Sequence, residues 1–267
     1  MKHFLLQFIA KVIQLIAKSN SRLPFLIEGE MQELQGKGSG AVSTEVEAKT
    51  ALDFLFRFGI DDPVVLDIGA NIGAYSWAIR KLAPQATVFA FEPSSVARER
   101  LKNRFIGDSF VSIVPLALGV KNSEELLYSD TPGSGLASLT RRRLDHFGID
   151  FRHTEKVGVL TLDSWTDRMK VVPNLIKMDV EGHELDVLKG GSNTLELTQV
   201  VQFEFGGCNI DTKTFFQDFW YLLTDLGFIL YRISERGPIR IPRYSEQDEV
   251  FRTTNFLAIK EVKKSIQ

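Results

Sequence analysis

The sequence predicts an α/β fold, a mostly parallel seven-stranded sheet with helices on both faces and an antiparallel last strand. Three observations lead there. Short apolar, β-branched runs alternate with helical patterns from residue 64 onward. The first run, Val64-Val65-Leu66, opens into Asp67-Ile68-Gly69-Ala70-Asn71-Ile72-Gly73, a strand turning tightly into a helix. The last two strand patterns are joined by a loop with Gly, Pro and Arg rather than by a helix, which suits antiparallel neighbours.

Taken in order, the pattern opens with an amphipathic helix over 4–17. An irregular lead-in at 19–40 follows, with Pro24, Gly29, Gly36, Gly38 and Gly40 as breakers. Residues 43–58 read as a helix whose apolar face carries Val46, Leu52, Leu55 and Phe56. Strand 64–68, helix 74–82, strand 87–91, helix 94–105 and strand 111–118 come next. Strand 175–179, helix 185–194, strand 200–205, helix 214–226 and strands 228–233 and 255–259 complete the series. This divides the chain into a lead-in over 1–42 and one domain over 43–267.

Between the third and fourth strands, residues 119–157 make a longer excursion. It carries Thr131-Pro132-Gly133-Ser134-Gly135 and Arg141-Arg142-Arg143. Long loops at the carboxyl side of such a sheet line substrate sites. The arginines read either as a solvated helix face or as partners for an acceptor carboxylate or phosphate.

With 267 residues, 44% hydrophobic and 25% charged, the chain has the composition of an ordinary soluble globular protein. A net charge of −2 gives no overall drive toward nucleic acid or anionic lipid, leaving only local basic patches. The single cysteine, Cys208, excludes an intrachain disulfide and any two-cysteine metal motif; it suits a reducing compartment, so a cytoplasmic location is expected. The twenty phenylalanines, scattered through strand and helix patterns, read as core. Residues 4–17 resemble a signal peptide, but Gln7, Lys11, Gln14 and Lys18 form a polar stripe that interrupts the run short of a bilayer span. That helix either packs on the domain or on a second subunit, or lies peripherally on a membrane.

The glycine loop discriminates between ligands. A dinucleotide fingerprint needs glycines at its first, third and sixth positions. Here Gly69 meets the first, while Asn71 and Ala74 hold the others, which disfavours a NAD-linked oxidoreductase. An acid two residues before the glycine, with small residues alternating after it, fits Asp67, Gly69, Asn71 and Gly73 better. That is the loop of S-adenosylmethionine-dependent methyltransferases, with Asn71 in place of a glycine because asparagine tolerates left-handed backbone. Glu92, at the end of the next strand and about 20 residues beyond the loop, suits ribose hydroxyls. Its plainer reading is a charge complementing the following helix dipole.

A second constellation follows the fourth strand: Leu175-Ile-Lys-Met-Asp179-Val-Glu181-Gly-His183-Glu184-Leu-Asp-Val-Leu-Lys-Gly190-Gly191. Asp179, Glu181 and His183 alternate at the same sheet edge as Gly69 and Glu92, where ligands of open α/β sheets bind. Through this block, Val65–Gly73 and Thr161-Leu162-Asp163, the chain closely resembles the FkbM family of methyltransferases over roughly 45–260.

The resemblance implies a class I (Rossmann-like) methyltransferase fold, S-adenosyl-L-methionine as methyl donor, and a hydroxyl acceptor on a sugar or other glycan, a polyketide or a related small molecule. By position, Asp67, Gly69, Ala70, Asn71 and Gly73 would cradle the methionine part of the donor. Glu92 would take the ribose, and Ala117 and Leu118 would lie beside the adenine. Asp179 would sit near the sulfonium, with Glu181 and His183 facing the acceptor.

A hydroxyl needs a base, and His183 is the first candidate, because a histidine side chain's unperturbed pKa is close to the operating pH, with Asp179 as runner-up. The plainer reading of His183 is a residue at a helix start. A divalent cation gathered by Asp179, Glu181, His183 and Glu204 is an alternative that their spacing does not demand. Methylation of an amine or peptide nitrogen would keep the donor site, but the Asn/Asp-Pro-Pro-aromatic motif of such enzymes is missing, Asp179-Val-Glu181-Gly standing there instead. A silent scaffold docked to membrane through 4–18 is the reading from another class. Glu92 is expected to serve ribose rather than the core.

Overall fold

The computed structural model describes residues 2–18, 21–38 and 42–261. Gly40 of the lead-in and residues 262–267 at the domain's end lie outside the described residues.

Helix α1 (Lys2–Ala17) forms where the sequence predicts it. Helix α2 (Leu23–Leu34) runs through the stretch read as irregular. Pro24 lies in its first turn, where no amide bond is lost, and Gly29 costs a helix interior only about 1 kcal/mol. The position of the breakers therefore decides, not their presence. α3 (Thr44–Arg57) is capped by Ser43, whose hydroxyl accepts from the Val46 amide at 3.4 Å.

β1 (Val64–Ile68), α4 (Ala74–Leu82), β2 (Thr87–Phe91), α5 (Ser95–Arg104) and β3 (Val111–Val114) then alternate as predicted. The strand expected over 111–118 is divided. Pro115 has no amide for the ladder, so pairing with β2 stops at Val114. Ala117–Leu118 becomes β4 of a separate three-stranded sheet with β5 (Ser123–Ser129) and β6 (His153–Leu160), in the order β4–β6–β5. The two ends of the excursion thus form antiparallel strands rather than loop, Ser123 pairing with Val159 and Ser129 with His153.

α6 (Leu162–Met169), β7 (Leu175–Met178), α7 (Glu184–Lys189) and α8 (Ser192–Leu197) follow. The single helix expected over 185–194 is broken at Gly190-Gly191. Backbones meet there, and a Cβ on Gly190 would lie 2.2 Å from the Gly119 carbonyl oxygen. β8 (Val200–Phe205), α9 (Cys208–Thr212), α10 (Phe216–Asp225), β9 (Phe228–Arg232), β10 (Ile239–Arg240) and β11 (Thr254–Lys260) finish the chain.

The main sheet has the order β10–β9–β11–β8–β7–β1–β2–β3. All seven expected strands are present, and the short β10 adds an eighth at the edge. β1, β2, β3, β7 and β8 pair in parallel, and β11 is antiparallel to both its neighbours. Helices cover both faces: Leu52, Leu55, Tyr75 and Ile79 pack with Val65 and Val88 on one side. On the other, Leu66, Ile68 and Phe203 meet Trp165, Leu185 and Phe219. Phe203 stacks on Phe219 and Phe256 with centroids at 4.9 and 5.3 Å, so these phenylalanines are core, as expected. Phe25, Phe56, Phe110, Phe147 and Phe215 are exposed instead, so Phe56 does not share the buried face of α3 with Leu52 and Leu55.

Candidate functional site

From β1 the chain moves outward one way through β2 and β3, then returns to build β7 and β8 on the other side. The loops leaving β1 and β7 therefore diverge at a switch point, and a crevice opens at their carboxyl ends. Backbone bonds pin both loops. The Gly69 and Ala70 amides donate to Phe91 O at 3.0 and 2.9 Å, and the Asp179 amide donates to Ile68 O at 3.0 Å. Gly69 sits at φ +79°, and a Cβ there would lie 1.9 Å from the Asp179 carbonyl oxygen. Gly69→Ala is accordingly expected to cost about 3 kcal/mol or more, read as a lowered urea midpoint.

Asn71 adopts φ +48° and donates its amide to Glu92 Oε2 at 2.8 Å. The Ser94 amide reaches Glu92 Oε1 at 2.7 Å. At 6% exposure, burial pushes the Glu92 carboxyl up to about 7, against the pull of those two amides. Glu92 thus fixes the loop as well as facing the cleft, which corrects the expectation that it leaves the fold untouched. Asp67 lies wholly buried under the loop: its Oδ2 accepts from the Ser76 hydroxyl at 2.6 Å and amide at 3.1 Å, and its Oδ1 lies 3.4 Å from Lys177 Nζ. Gly73 caps α4 at φ +80°. Asp67 and Gly73 line neither cavity described below, so they shape the site from behind.

Two cavities share Gly69, Asn71 and Asp179. One is a narrow cleft of 50 Å³ whose walls include Glu92, Ala117, Leu118, Leu139, Glu181 and His183. The other, of 380 Å³, includes Ala70, Lys177, Glu204 and Asn255 in its lining. Burial alone would lower the Lys177 pKa, but the carboxylates of Asp179, Asp67 and Glu47 outweigh it and hold the ammonium charged. Glu204 is driven well above the usual carboxylate range by burial and by Asp179, Glu181 and Glu184. Beneath them runs a chain that sequence reasoning missed. Tyr75 donates to Gln202 at 2.7 Å, Gln202 to Glu47 at 2.9 Å, and Asn255 to the other Glu47 oxygen at 2.8 Å. Lys177 was the available signal, since a lysine inside a fully buried strand needs partners.

Glu184 holds the turn after β7. Its buried carboxylate accepts the Val180 amide at 2.8 Å and the Gly182 amide at 3.1 Å, letting Glu181 take φ +54°. Against this turn lies an extended strap from the excursion, touching it at every second residue. Ser138 Oγ donates to Glu181 O at 2.8 Å, Thr140 Oγ1 meets His183 Nε2 at 2.9 Å, and Arg142 forms an ion pair with the Glu181 carboxylate. Arg142 also faces Asp211 at 3.4 Å, whereas Arg141 and Arg143 are exposed. Of the three arginines, the middle one is thus an internal clamp. The far ring nitrogen of His183, Nδ1, lies 2.9 Å from Asp186 Oδ2, and this contact holds the Asp186 carboxyl below its usual range.

Burial pushes Glu47 and Glu92 up to about 7 and Glu181 up to about 8, from 4.5 when unfolded. Between those values the folded chain binds more protons than the unfolded one. These groups therefore stabilise the ligand-free fold fully below pH 4.5, and that contribution is lost as the pH rises toward 8. Urea midpoints should fall across that window, and Glu47→Gln should flatten part of the slope.

The arrangement fits an adenosyl donor by its own atoms. The buried Asn71 Oδ1 has no hydrogen-bond partner, and the Glu92 carboxylate edges an apolar slot lined also by Gly69. Among the described residues, no group of three or more His, Cys, Asp or Glu is arranged to hold a metal ion.

The chain is 29% identical over 155 residues to the 2-O-methyltransferase NoeI of Sinorhizobium fredii, covering 54% of this chain and 63% of that protein. It is 31% identical over 148 residues to the hexuronic acid methyltransferase AglP of Haloferax volcanii, covering 54% of this chain and 56% of that one. It thus spans less than two thirds of the length of these relatives. Among solved structures, an FkbM methyltransferase from Methylobacillus flagellatus KT is similar at 18% identity and a TM-score of 0.45, over 76% of this chain and 46% of that one. The FkbM methyltransferase domain profile matches residues 67–230, more than half of the chain, and the protein belongs to the FkbM family of methyltransferases.

Proposed function

We propose that the chain methylates a hydroxyl group on a sugar, polyketide or other small metabolite, using the family's donor, S-adenosylmethionine. One observation carries the reading: an imidazole at the cleft wall, oriented by a carboxylate on one nitrogen and hydrogen-bonded to a hydroxyl on the other. That is the geometry in which a histidine takes a proton from an alcohol.

When bound, the donor supplies a sulfonium-activated methyl carbon open to in-line attack. Gly69, Ala70 and Asn71 would hold its methionine end and Glu92 its ribose, with Ala117 and Leu118 against the adenine. The cleft's 50 Å³ is far below the roughly 300–1,000 Å³ of ligand sites, so residues 134–139 would have to shift outward on entry. His183 Nε2 then accepts the acceptor's hydroxyl proton in the place now held by Thr140 Oγ1. Asp186 fixes the tautomer that leaves Nε2 free to accept and stabilises the imidazolium that forms. Asp179, on the wall common to both cavities, would favour the cationic end of the donor. Glu181, paired with Arg142, acts by holding the turn. The relatives' names, a 2-O-methyltransferase and a hexuronic acid methyltransferase, support an oxygen acceptor on a sugar.

The test is an acceptor panel of sugars, uronic acids, polyols and matched amines, read out by S-adenosylhomocysteine. Turnover on hydroxyl acceptors is expected. Turnover confined to amines would move the reaction to nitrogen, and absence of donor binding by calorimetry would remove the enzymatic reading.

A further inference from the structure

Helices α1 and α2 precede the stretch that the family profile matches, and they leave apolar side chains in solvent. The two pack on each other, with Ile13, Ala17, Leu23 and Ile27 half-buried. Leu15 and Phe25 are each 75% exposed, and Ile16 and Leu26 are exposed beside them in sequence. The carboxyl end of α2 is tied to the domain. Arg252 donates to Gln32 Oε1 at 2.9 Å, Lys37 to Gln247 O at 2.6 Å, and the Gly38 amide to Thr254 Oγ1 at 2.8 Å. Ile9 and Val12 along α1 and Met31 and Leu34 nearer that tie are exposed as well, but the two most exposed, Leu15 and Phe25, lie with Ile16 and Leu26 toward the opposite end of the hairpin, where α1 stops and α2 starts.

Charge is segregated along the same line. The first 27 residues hold Lys2, Lys11, Lys18 and Arg22 and no acid. Since the whole chain carries −2, the remainder carries −6. The acids of α2, Glu28, Glu30 and Glu33, all lie in its domain-proximal part.

We propose that the tip of this hairpin docks on an anionic lipid surface. Leu15, Ile16, Phe25 and Leu26 enter the acyl boundary while Lys18 and Arg22 meet headgroup phosphates. The 16 residues of α1 rise about 24 Å, short of the roughly 30 Å hydrocarbon core, so the element lies in the interface rather than crossing it. Among the described residues, no helix is long and apolar enough to cross a membrane. A second copy of this chain is the poorer occupant. A two-fold contact through the tip would bring Lys18 and Arg22 toward their own duplicates, opposing like charges that lipid phosphates neutralise.

The experiment floats the full chain with phosphatidylcholine vesicles and with mixed phosphatidylcholine–phosphatidylglycerol vesicles. Recovery with the mixed vesicles alone is expected. Lys18→Gln and Arg22→Gln should each weaken it about fivefold, and the double variant Leu15→Glu, Phe25→Glu should abolish it while the thermal unfolding midpoint stays put. Equal recovery on both vesicle types, recovery on neither, or binding indifferent to these substitutions would overturn the proposal. So would a dimer, seen by light scattering, that the double variant dissociates.

Discussion

His183→Ala is expected to lower kcat by about 10²–10⁴-fold, the usual contribution of a positioned acid or base, with donor affinity by calorimetry left nearly unchanged. The split follows from geometry. The imidazole lies between Asp186 and the Thr140 hydroxyl on the turn after β7, whereas Glu92, the group assigned to the donor's ribose, stands at the end of β2. Asp186→Asn tests the same assignment more finely. The amide can donate to Nδ1 and favour the wrong tautomer, so kcat should fall while the unfolding midpoint stays near its native value. A merely structural Asp186 would change the unfolding midpoint and leave kcat where it was. Normal turnover in His183→Ala would pass the base role to another group, Asp179 first.

The second large effect concerns Glu92. Glu92→Gln should weaken donor binding about 10–100-fold, because one of the two carboxylate oxygens offered to the ribose becomes an NH₂ and a hydrogen bond of about 1.5–3 kcal/mol is lost. The same change should lower stability by about 1–3 kcal/mol, since the new NH₂ meets a backbone amide where an oxygen had accepted the Asn71 or Ser94 N–H. Calorimetry and urea titration separate the two losses. A destabilised variant with native donor affinity would leave Glu92 as a loop brace only.

Both assignments began as patterns in sequence, and their legibility was uneven. Val64 to Gly73 could be read as a strand turning into a helix because β-branching and the need for left-handed backbone are properties of the residues themselves. The structure adds φ +48° at Asn71 and +79° at Gly69. The Asp179–His183 turn could likewise be set at the same edge, since parallel strands share a direction. The arginine cluster could not be resolved. Arg141, Arg142 and Arg143 are identical in type, and only the path of the strap turns the middle one inward to Glu181 and Asp211. The 123–129 and 153–160 strands were hidden because they open on runs polar on both faces, Ser123-Glu124-Glu125 and His153-Thr154-Glu155-Lys156, a weak apolar signal until two such strands lie side by side.

What the chain determines by itself is therefore the alternation of strands and helices, the glycine loop, and the acids and histidine at one sheet edge. These rest on local periodicity and on backbone conformations that single residues prefer. What only the tertiary structure decides is who meets whom. Thr140 reaches His183 across 43 residues, Glu47 joins Gln202 and Asn255, and Asp67 withdraws beneath the loop it begins. A buried charge or ring nitrogen takes its partner from whatever the topology brings within hydrogen-bond reach, and no neighbour in sequence carries that information.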